Sequence, residues 1–289
     1  MVQARCVLPA KATLGECPLW DHRNQRLYWI DIEGFRLHRY DPATGKDDLC
    51  QLDQQIGSVA LMERGGYVLA MRDGFARLPS FAVNELEWLH DPEADKPDNR
   101  FNDGHADPDG HFWAGTMDMA KKNPTGALYR LHRNGQVDQI LDGFTIFNGL
   151  AFDTERARVY FADTPQRTVW VADWDRPNAT LREPRVFLQM GDKRPDGASL
   201  DSEGGYWISL YGGAAVERYD PDGKLTERVE VPARNVTMAA FGGAELRTLY
   251  ITTASEGLSD EEWQAYPDSG GLFTAEVGVK GLPEPAYAG

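Results

Sequence analysis

The stretch RLYWIDIEGFRLHRYDPATG, residues 26–45, decides the fold. It reads as an aromatic strand, a tight turn, a strand of alternating apolar and polar residues, and a turn built from Asp, Pro and Gly. Five later segments repeat this order. Six aromatic residues mark the same point of each repeat and are separated by 39, 46, 47, 47 and 43 residues: Tyr28, Tyr67, Trp113, Tyr160, Trp207 and Tyr250.

A period of about 40–50 residues with several short strands per unit is typical of β-propeller blades. We therefore predict an all-β protein, a six-bladed β-propeller whose four-stranded antiparallel blades surround a central channel. Six such units account for nearly all 289 residues, so we expect a single domain over residues 1–289. Arg5–Leu8 should add an outer strand to the last blade, because closing the ring removes an exposed edge. Ser259–Glu262 has the pattern of a capping box and predicts one short helix.

The composition of the chain disfavours some classes of binding partner. The chain has 30 Lys and Arg against 45 Asp and Glu, a formal net charge of −15, which disfavours binding to nucleic acid and to anionic membranes. No apolar run approaches the ~18 residues of a membrane helix, and the first residues lack the apolar segment of a secretory signal. We expect a cytoplasmic protein, a monomer or weak dimer, in which Cys6, Cys17 and Cys50 are reduced thiols.

The innermost strand of each blade lines the channel and should precede the aromatic marker by about ten residues. Glu16, Asn102, Asn148 and Asp196 lie 11 or 12 residues before their markers. Ile56 has this place in the second repeat, and in the sixth the residues 235–237 lie 13 to 15 before the marker. If the blades are equivalent, four oxygen-bearing side chains converge at one end of the channel.

Converging carboxylates repel one another and are costly to desolvate, so a cation should lie between them. Glu, Asn and Asp are hard oxygen ligands, which suit one divalent ion such as Ca²⁺, Mg²⁺, Mn²⁺ or Fe²⁺ better than a structural zinc site. Three protein ligands would leave positions open for water or substrate, as in a catalytic metal site.

Each of these residues also has a plainer interpretation. Asn148-Gly149 and Pro195-Asp196-Gly197 are common turn sequences, and Glu16 alone would be a surface carboxylate. The shared spacing is what favours convergence. The segment 100–104 reads either as a solvated loop or as part of the channel mouth, where Arg100 and Asn102 would hydrogen-bond substrate oxygens. The histidines have no metal-binding spacing, and His105 is the only one expected near that mouth.

Five ordered motifs carry a family resemblance: LGECPLWD (14–21), RFNDGHADPDGHFWAGTM (100–117), FNGLAF (147–152), RPDGASLDSEGGYW (194–207) and the tail GGLF…YAG (270–289). They resemble the SMP-30/gluconolactonase/regucalcin family, and among its members the bacterial aldonolactonases such as gluconolactonase and xylonolactonase. The resemblance implies a six-bladed propeller that hydrolyses sugar lactones with one divalent metal ion, which could be Ca²⁺, Zn²⁺, Mn²⁺, Mg²⁺ or Fe²⁺.

Matched by motif, the metal ligands of the family fall on Glu16, Asn148 and Asp196. The general acid/base also falls on Asp196, and the substrate-binding pair falls on Arg100 and Asn102. The sequence departs from the family twice. Cys17 stands where a glycine is usual, and the stretch 118–121 lacks the substrate-binding glutamate of animal members.

The expected function is hydrolysis of an aldono-1,4- or 1,5-lactone to its acid, with the metal as Lewis acid and Asp196 as general acid/base. One alternative is a metal-dependent propeller hydrolase of non-sugar lactones or phosphotriesters. Another is a calcium-binding propeller without catalytic activity. The physiological sugar, the ring size and the metal stay open at the level of sequence.

Overall fold

The computed structural model describes residues 2–82, 85–178 and 180–289. Its strands form six antiparallel blades whose innermost strands follow one another around a channel, which confirms the predicted propeller. The strands of blades 1 to 3, from the channel outwards, are Gly15–Asp21, Arg26–Asp31, Arg36–Asp41 and Lys46–Gln51; Ile56–Leu61, Tyr67–Met71, Gly74–Leu78 and Glu87–His90; and Asn99–Ala106, Phe112–Asp118, Gly126–Leu131 and Val137–Phe144.

Blades 4 to 6 follow the same order. Their strands are Phe147–Asp153, Arg158–Asp163, Thr168–Asp175 and Thr180–Gln189; Arg194–Leu200, Tyr206–Tyr211, Ala215–Tyr219 and Leu225–Glu230; and Asn235–Gly242, Thr248–Ala254 and Leu272–Glu276, with a fourth strand supplied by the N-terminal segment. The segment 99–106 is a buried innermost strand, so its interpretation as a solvated loop is wrong.

The N-terminal segment joins the last two blades. Arg5–Leu8 pairs antiparallel with Leu272–Glu276, as predicted, and completes blade 6. Val2–Gln3 pairs parallel with Leu225–Glu230 and gives blade 5 a fifth strand, which the sequence did not indicate. Because the strand that completes blade 6 is followed along the chain by the innermost strand of blade 1, the first and last parts of the chain close the ring.

Aromatic side chains pack the blades against each other. All six marker residues of the repeat are buried. Every interface between neighbouring blades contains an aromatic pair with ring centroids 4.6–5.8 Å apart: Tyr28–Tyr67, Phe75–Phe101, Trp113–Phe152, Tyr160–Tyr206, Trp207–Phe241 and Trp20–Tyr250. Such pairs contribute about 0.5–1.5 kcal/mol each beyond the apolar area that they bury. The regular spacing of aromatic residues therefore reflects the packing between blades.

One helix, Asp260–Ala265, lies in the connection between the second and third strands of blade 6. Ser259 and Glu262 form the predicted capping box at its N-terminus. Glu262 also accepts a hydrogen bond from Arg234 at 3.1 Å, which ties the helix to the start of blade 6. Within the described residues, no helix has the length and apolar composition needed to cross a membrane.

The C-terminal tail, residues 277–289, crosses the end of the channel where the innermost strands finish. Gly281 forms a β-bridge with Asp201 of blade 5, and Tyr287 forms one with Met62 after the innermost strand of blade 2. Tyr287 is fully buried, and its hydroxyl donates to the carbonyl of His132 at 2.8 Å. The tail thus covers one end of the channel and leaves access from the other.

His105 lies at this covered end, so its expected place near the mouth is wrong. Its Nδ1 is 3.0 Å from Oε1 of Glu284 in the tail. Burial by itself would lower the pKa of His105, but the Glu284 carboxylate, helped by Asp103, outweighs burial and raises that pKa to about 9. A raised pKa in the folded state means that protonation of His105 stabilises the fold.

We expect Glu284→Gln to lower the free energy of unfolding by roughly 2 kcal/mol at pH 6, because it leaves a buried charge without its partner. The stabilisation that the His105–Glu284 pair gives the fold is complete below the ordinary histidine pKa of 6.5. It is lost as pH rises through about 9. Urea unfolding at pH 6 and pH 10 measures both values, with the exposed Glu245→Gln as control. An equal loss at both pH values would contradict this role of the pair.

Candidate functional site

A cavity of about 100 Å³ opens at the uncovered end of the channel, where the innermost strands begin. All five residues singled out in the sequence lie in its wall. The wall consists of Leu14, Glu16, Arg100, Asn102, Met117, Lys121, Ile146, Asn148, Thr164, Arg194, Asp196, Tyr211 and Glu256. The structure therefore brings together the residues that the spacing predicted to converge.

A larger concavity lies elsewhere on the described surface. It has a volume of about 940 Å³ and is bordered by residues such as Asp21, Arg133 and Glu284 of the covered end. None of the five predicted site residues is in its wall. We place the candidate site in the smaller cavity, because a functional site is marked by convergent polar groups with shifted pKa values rather than by volume.

A β-bulge at one level of every innermost strand shapes this end of the channel. The pairing register with the second strand shifts once in each blade, after Glu16, Ile56, Phe101, Asn148, Pro195 and Val236. A bulge breaks the strict alternation of a strand and re-aims the side chains beside it. Because all six bulges lie at equivalent positions, the side chains around them meet at one level of the channel.

The residues at the bulges differ in the functional groups that they bring to the channel. In blade 2 the position after Ile56 is Gly57, where an added Cβ would lie 2.4 Å from the backbone of Phe101. Blade 2 therefore contributes close backbone packing rather than a functional group. In blade 4 Gly149 has φ +67°, a left-handed conformation that follows directly after Asn148. Glycine at this position lets the chain turn there without steric cost.

A chain of hydrogen bonds links blades 3, 4 and 5 through the site. Arg100 Nη1 donates to Asn102 Oδ1 at 2.9 Å, and Asn102 Nδ2 donates to Asn148 Oδ1 at 3.0 Å. Asn148 Nδ2 in turn donates to Thr164 Oγ1, whose hydroxyl donates to the carbonyl of Pro195, each at 2.7 Å.

This chain fixes the orientation of both amides. Because the Asn148 nitrogen donates to Thr164, its oxygen is the atom that points into the site. That oxygen keeps one lone pair for a ligand. Asn102 has its oxygen and its nitrogen engaged with protein groups, including the carbonyl of Phe147 at 3.0 Å. Asn102 therefore positions Asn148 in addition to lining the cavity.

Three buried carboxyl groups, those of Glu16, Asp103 and Asp196, act on one another electrostatically in the channel. Burial raises the pKa of Glu16 well above its ordinary value, and the charges of Asp196 and Asp103 raise it further. Burial, followed by Asp103, likewise raises the pKa of Asp196 well above the ordinary range. Within the residues that the structure describes, neither Glu16 nor Asp196 forms an ion pair. Their mutual repulsion is therefore not compensated by a bonded side-chain cation.

The sequence patterns did not predict Asp103 as a site residue, although it directly follows Asn102. It is buried and accepts a hydrogen bond from the backbone N–H of Leu150 at 2.9 Å. Burial raises its pKa, opposed by His105 and by neighbouring N–H groups. The sequence Asn-Asp-Gly is a common turn signal, and only the bulge in the innermost strand reveals that both polar residues point into the protein.

Arg100 brings a buried positive charge to the site. Its Nη1 donates to the carbonyl of Phe101 at 2.8 Å as well as to Asn102. Burial lowers the pKa of this guanidinium, and the surrounding carboxylates, among them Glu33 and Glu16, oppose the change. A guanidinium has five N–H donors, so it retains donors for a bound ligand.

Cys17, the departure from the family pattern, lies in the bulge of blade 1. Its φ of +47° is in the left-handed region, where glycine is the least strained residue. The thiol is buried and close to blade 2, with its sulfur 3.4 Å from the N–H of Val59 and 3.6 Å from its carbonyl. Burial raises the pKa of Cys17 far above that of a free thiol, which leaves it protonated beside Glu16.

The donor set of the cavity fits a hard divalent cation. Glu16 and Asp196 present two buried carboxylates without ion-pair partners among the described residues, and Asn148 presents an amide oxygen with one lone pair left. No three His, Cys, Asp or Glu side chains form a metal-binding cluster in the described ranges, so the set depends on the Asn148 oxygen. No histidine or cysteine lines this cavity. Oxygen-only donors are the preference of Ca²⁺, Mg²⁺ and Mn²⁺.

Comparison with known proteins places the chain in a family. Residues 14–255 match the sequence model of the SMP-30/gluconolactonase/LRE-like region. The 6-deoxy-6-sulfogluconolactonase of Pseudomonas putida is 40% identical over 99% of this chain and 98% of that protein. A pentonolactonase of Haloferax volcanii is 36% identical, with 96% of both chains covered.

A solved structure agrees. The calcium-binding protein regucalcin of Agrobacterium tumefaciens superposes with a TM-score of 0.94 at 30% identity, over 99% of this chain and 97% of that one. The matching family model spans most of the propeller, from the innermost strand of blade 1 to the second strand of blade 6. The resemblance noted in the motifs is therefore confirmed, and the chain belongs to the SMP-30/gluconolactonase/LRE-like family.

Proposed function

We propose that this protein is a metal-dependent sugar lactonase, which hydrolyses an aldono-1,4- or 1,5-lactone to the aldonic acid. The observation that carries the proposal is that two buried carboxylates without ion-pair partners among the described residues, Glu16 and Asp196, line one cavity with the Asn148 oxygen, which keeps one lone pair. The names of the Pseudomonas and Haloferax relatives, a sulfogluconolactonase and a pentonolactonase, support the reaction class.

Glu16, Asn148 and Asp196 would hold one divalent cation. When bound there, such an ion supplies Lewis-acid polarisation of an ester carbonyl. The oxygen-only donors favour Ca²⁺, Mg²⁺, Mn²⁺ or Fe²⁺ over Zn²⁺, and the solved regucalcin is described as calcium-binding. A cation there would also offset the repulsion between the two carboxylates, neither of which forms an ion pair with a described side chain.

Asp196 is the proposed general acid/base. A water molecule adds to the carbonyl carbon of the lactone and gives one proton to the Asp196 carboxylate. The bond between that carbon and the ring oxygen then breaks, and Asp196 returns the proton to the ring oxygen. The products are a carboxylic acid and a hydroxyl group on one open chain, so atoms and charge balance.

Arg100 and Asn102 are the proposed substrate-binding pair. Arg100 keeps free N–H donors in the cavity, and it is held in place by its own bonds to Phe101 and Asn102. Donors fixed in this way orient the lactone oxygens before the reaction begins, which lowers the barrier. Asn102 acts mainly by holding the Asn148 oxygen in place.

The residue types of the wall are compatible with a sugar, although apolar atoms make up the larger part of its accessible surface. Its apolar members are Leu14, Met117, Ile146 and the ring of Tyr211, while most of the other groups carry charges or amides. Hydroxyl groups of a sugar can satisfy such donors and acceptors, whereas an apolar ligand would leave them unpaired.

We also propose that the chain is a single domain over residues 1–289, a monomer or weak dimer, and cytoplasmic. Cys6 and Cys17 form no disulfide bond in the structure. Cysteines outside disulfide bonds suit a reducing compartment, which is the support for the location.

Proton release from a panel of aldono-lactones tests the function. Metal-stripped protein is compared with protein restored by each divalent ion, after spontaneous hydrolysis is subtracted. We expect acceleration that requires the ion. Stoichiometric ion without acceleration of any sugar lactone would refute the lactonase and favour a calcium-binding propeller. Acceleration confined to apolar lactones or phosphotriesters would favour a metal-dependent propeller hydrolase of non-sugar substrates.

Asp196→Asn should reduce kcat by about 100-fold or more, because it removes the group that moves the proton. Steady-state turnover on the best lactone of the panel measures this effect. Asp222→Asn, in an exposed turn between strands of blade 5, is the matched control and should turn over normally. Near-normal turnover of the Asp196 variant with its metal retained would rule out the acid/base role.

Asp196→Asn should lower turnover but stabilise the metal-free protein. With a chelator at pH 7, Asp196→Asn should raise the free energy of unfolding by about 1 kcal/mol, because it relieves repulsion with Glu16 and Asp103. In wild-type protein a divalent ion should raise the melting temperature, and the variant should lose most of that rise. A variant that is less stable in chelator would show that the carboxylates do not oppose folding.

A further inference from the structure

Two cationic side chains stand at the rim of the cavity, outside the predicted site residues. Lys121 and Arg194 both line the wall and are exposed, whereas Arg100 is buried deeper. Both share the wall of one cavity with Arg100 and Asp196. Neither rim residue has a part in the proposed hydrolysis.

Lys121 lies in the connection between the second and third strands of blade 3. Its φ is +57°, a left-handed conformation that Phe35, Arg167 and Ala214 share in the same connection of other blades. Asp118 holds the loop in this shape, since its carboxylate accepts the N–H groups of Ala120, Lys122 and Asn123 at 2.7–3.0 Å.

Arg194 is held in place without a carboxylate partner. Its Nε donates to the carbonyl of Tyr211 at 3.2 Å, and its guanidinium lies 4.9 Å from the centre of the Tyr211 ring. In the part of the chain that the structure describes, no Asp or Glu forms an ion pair with it. The two Nη groups are therefore available to a ligand, and stacking on the ring reduces the entropy lost when they bind.

Lys121 has only a weak partner. Its Nζ is 3.4 Å from Oε1 of Glu256, and the two side chains are 50% and 37% exposed. Exposed pairs of this kind are worth about 0–1 kcal/mol, so a ligand can displace the contact at low cost.

The charges at the rim do not cancel. Arg100 lies deeper, among carboxylates that include Glu33, Glu16 and Asp196. The two rim cations, Lys121 and Arg194, share one nearby carboxylate of the wall, Glu256, which leaves one positive charge unpaired. This positive rim belongs to a chain whose net charge is −15, so it does not follow from composition. A lactone whose only polar substituents are hydroxyl groups would not require this positive charge.

We propose that the lactone bound here carries an anionic group, a sulfonate, phosphate or carboxylate, remote from its ester, and that Lys121 and Arg194 bind this group. The inference rests on the proposed lactonase activity and adds its substrate class. The ester end would reach Asp196 in the deep part of the cavity, and the anion would stay at the rim. Guanidinium and ammonium groups pair with such oxyanions by charge-assisted hydrogen bonds.

The test compares glucono-1,5-lactone with its 6-phospho and 6-deoxy-6-sulfo derivatives, which share the ring and differ in charge. We expect wild-type protein to prefer an anionic lactone. In Lys121→Met and in Arg194→Met, the ratio of kcat/KM for the anionic lactone to that for the neutral one should fall by about tenfold each. Lys122→Met, whose exposed side chain is next in sequence, is the control and should keep the wild-type ratio.

Binding of the open-chain acids gives a readout that needs no turnover. Calorimetry should show that 6-phosphogluconate binds more tightly than gluconate and that each rim variant removes most of the difference. If no lactone is hydrolysed but this difference appears and is lost in the variants, the proposed reaction fails and the anion site stands. If wild-type protein prefers the neutral lactone, or if the variants lower both lactones equally, the anion site is refuted.

Discussion

The structure depends on one electrostatic constraint, the repulsion between carboxylates held at the centre of the propeller. Glu16, Asp103 and Asp196 are brought together by bulges in three innermost strands, in a region where burial raises the pKa of each. Hydrogen bonds stabilise Asp103, but the other two lack an ion-pair partner in the described residues. Such an arrangement opposes folding, so it persists only if the surrounding ring is rigid and something else offsets the charge.

The ring supplies that rigidity. Aromatic pairs fill every interface between blades, the N-terminal segment bonds to blades 5 and 6, and the tail covers the far end of the channel. The bonds from Arg100 through Asn102 and Asn148 to Thr164 then hold the polar groups across three blades. The cavity keeps its shape because its members are attached to several blades at once, and the open end is where charged rim residues meet a ligand.

The sequence predicted most of the fold and the inner part of the site, because both follow a repeat. Aromatic residues at a fixed period predicted the blades, and a fixed distance from them predicted Glu16, Asn148 and Asp196. The features that it did not predict have no period. Asp103 is hidden in a turn-like sequence, Lys121 depends on a loop shaped by Asp118, and Arg194 looks like a surface residue until Tyr211 is placed beneath it. His105 lies at the covered end because it is three residues further along the innermost strand than Asn102, about 10 Å nearer that end.

The most direct test of the central claim is anomalous diffraction from a crystal grown with Mn²⁺. The carboxylates of Glu16 and Asp196 and the oxygen of Asn148 should surround one strong anomalous peak, at the oxygen–metal bond lengths of about 2.0–2.6 Å that hard cations take. Absence of a peak there at saturating Mn²⁺, or an ion bound only elsewhere, would contradict the account. The repulsion at the centre of the propeller would then need another explanation.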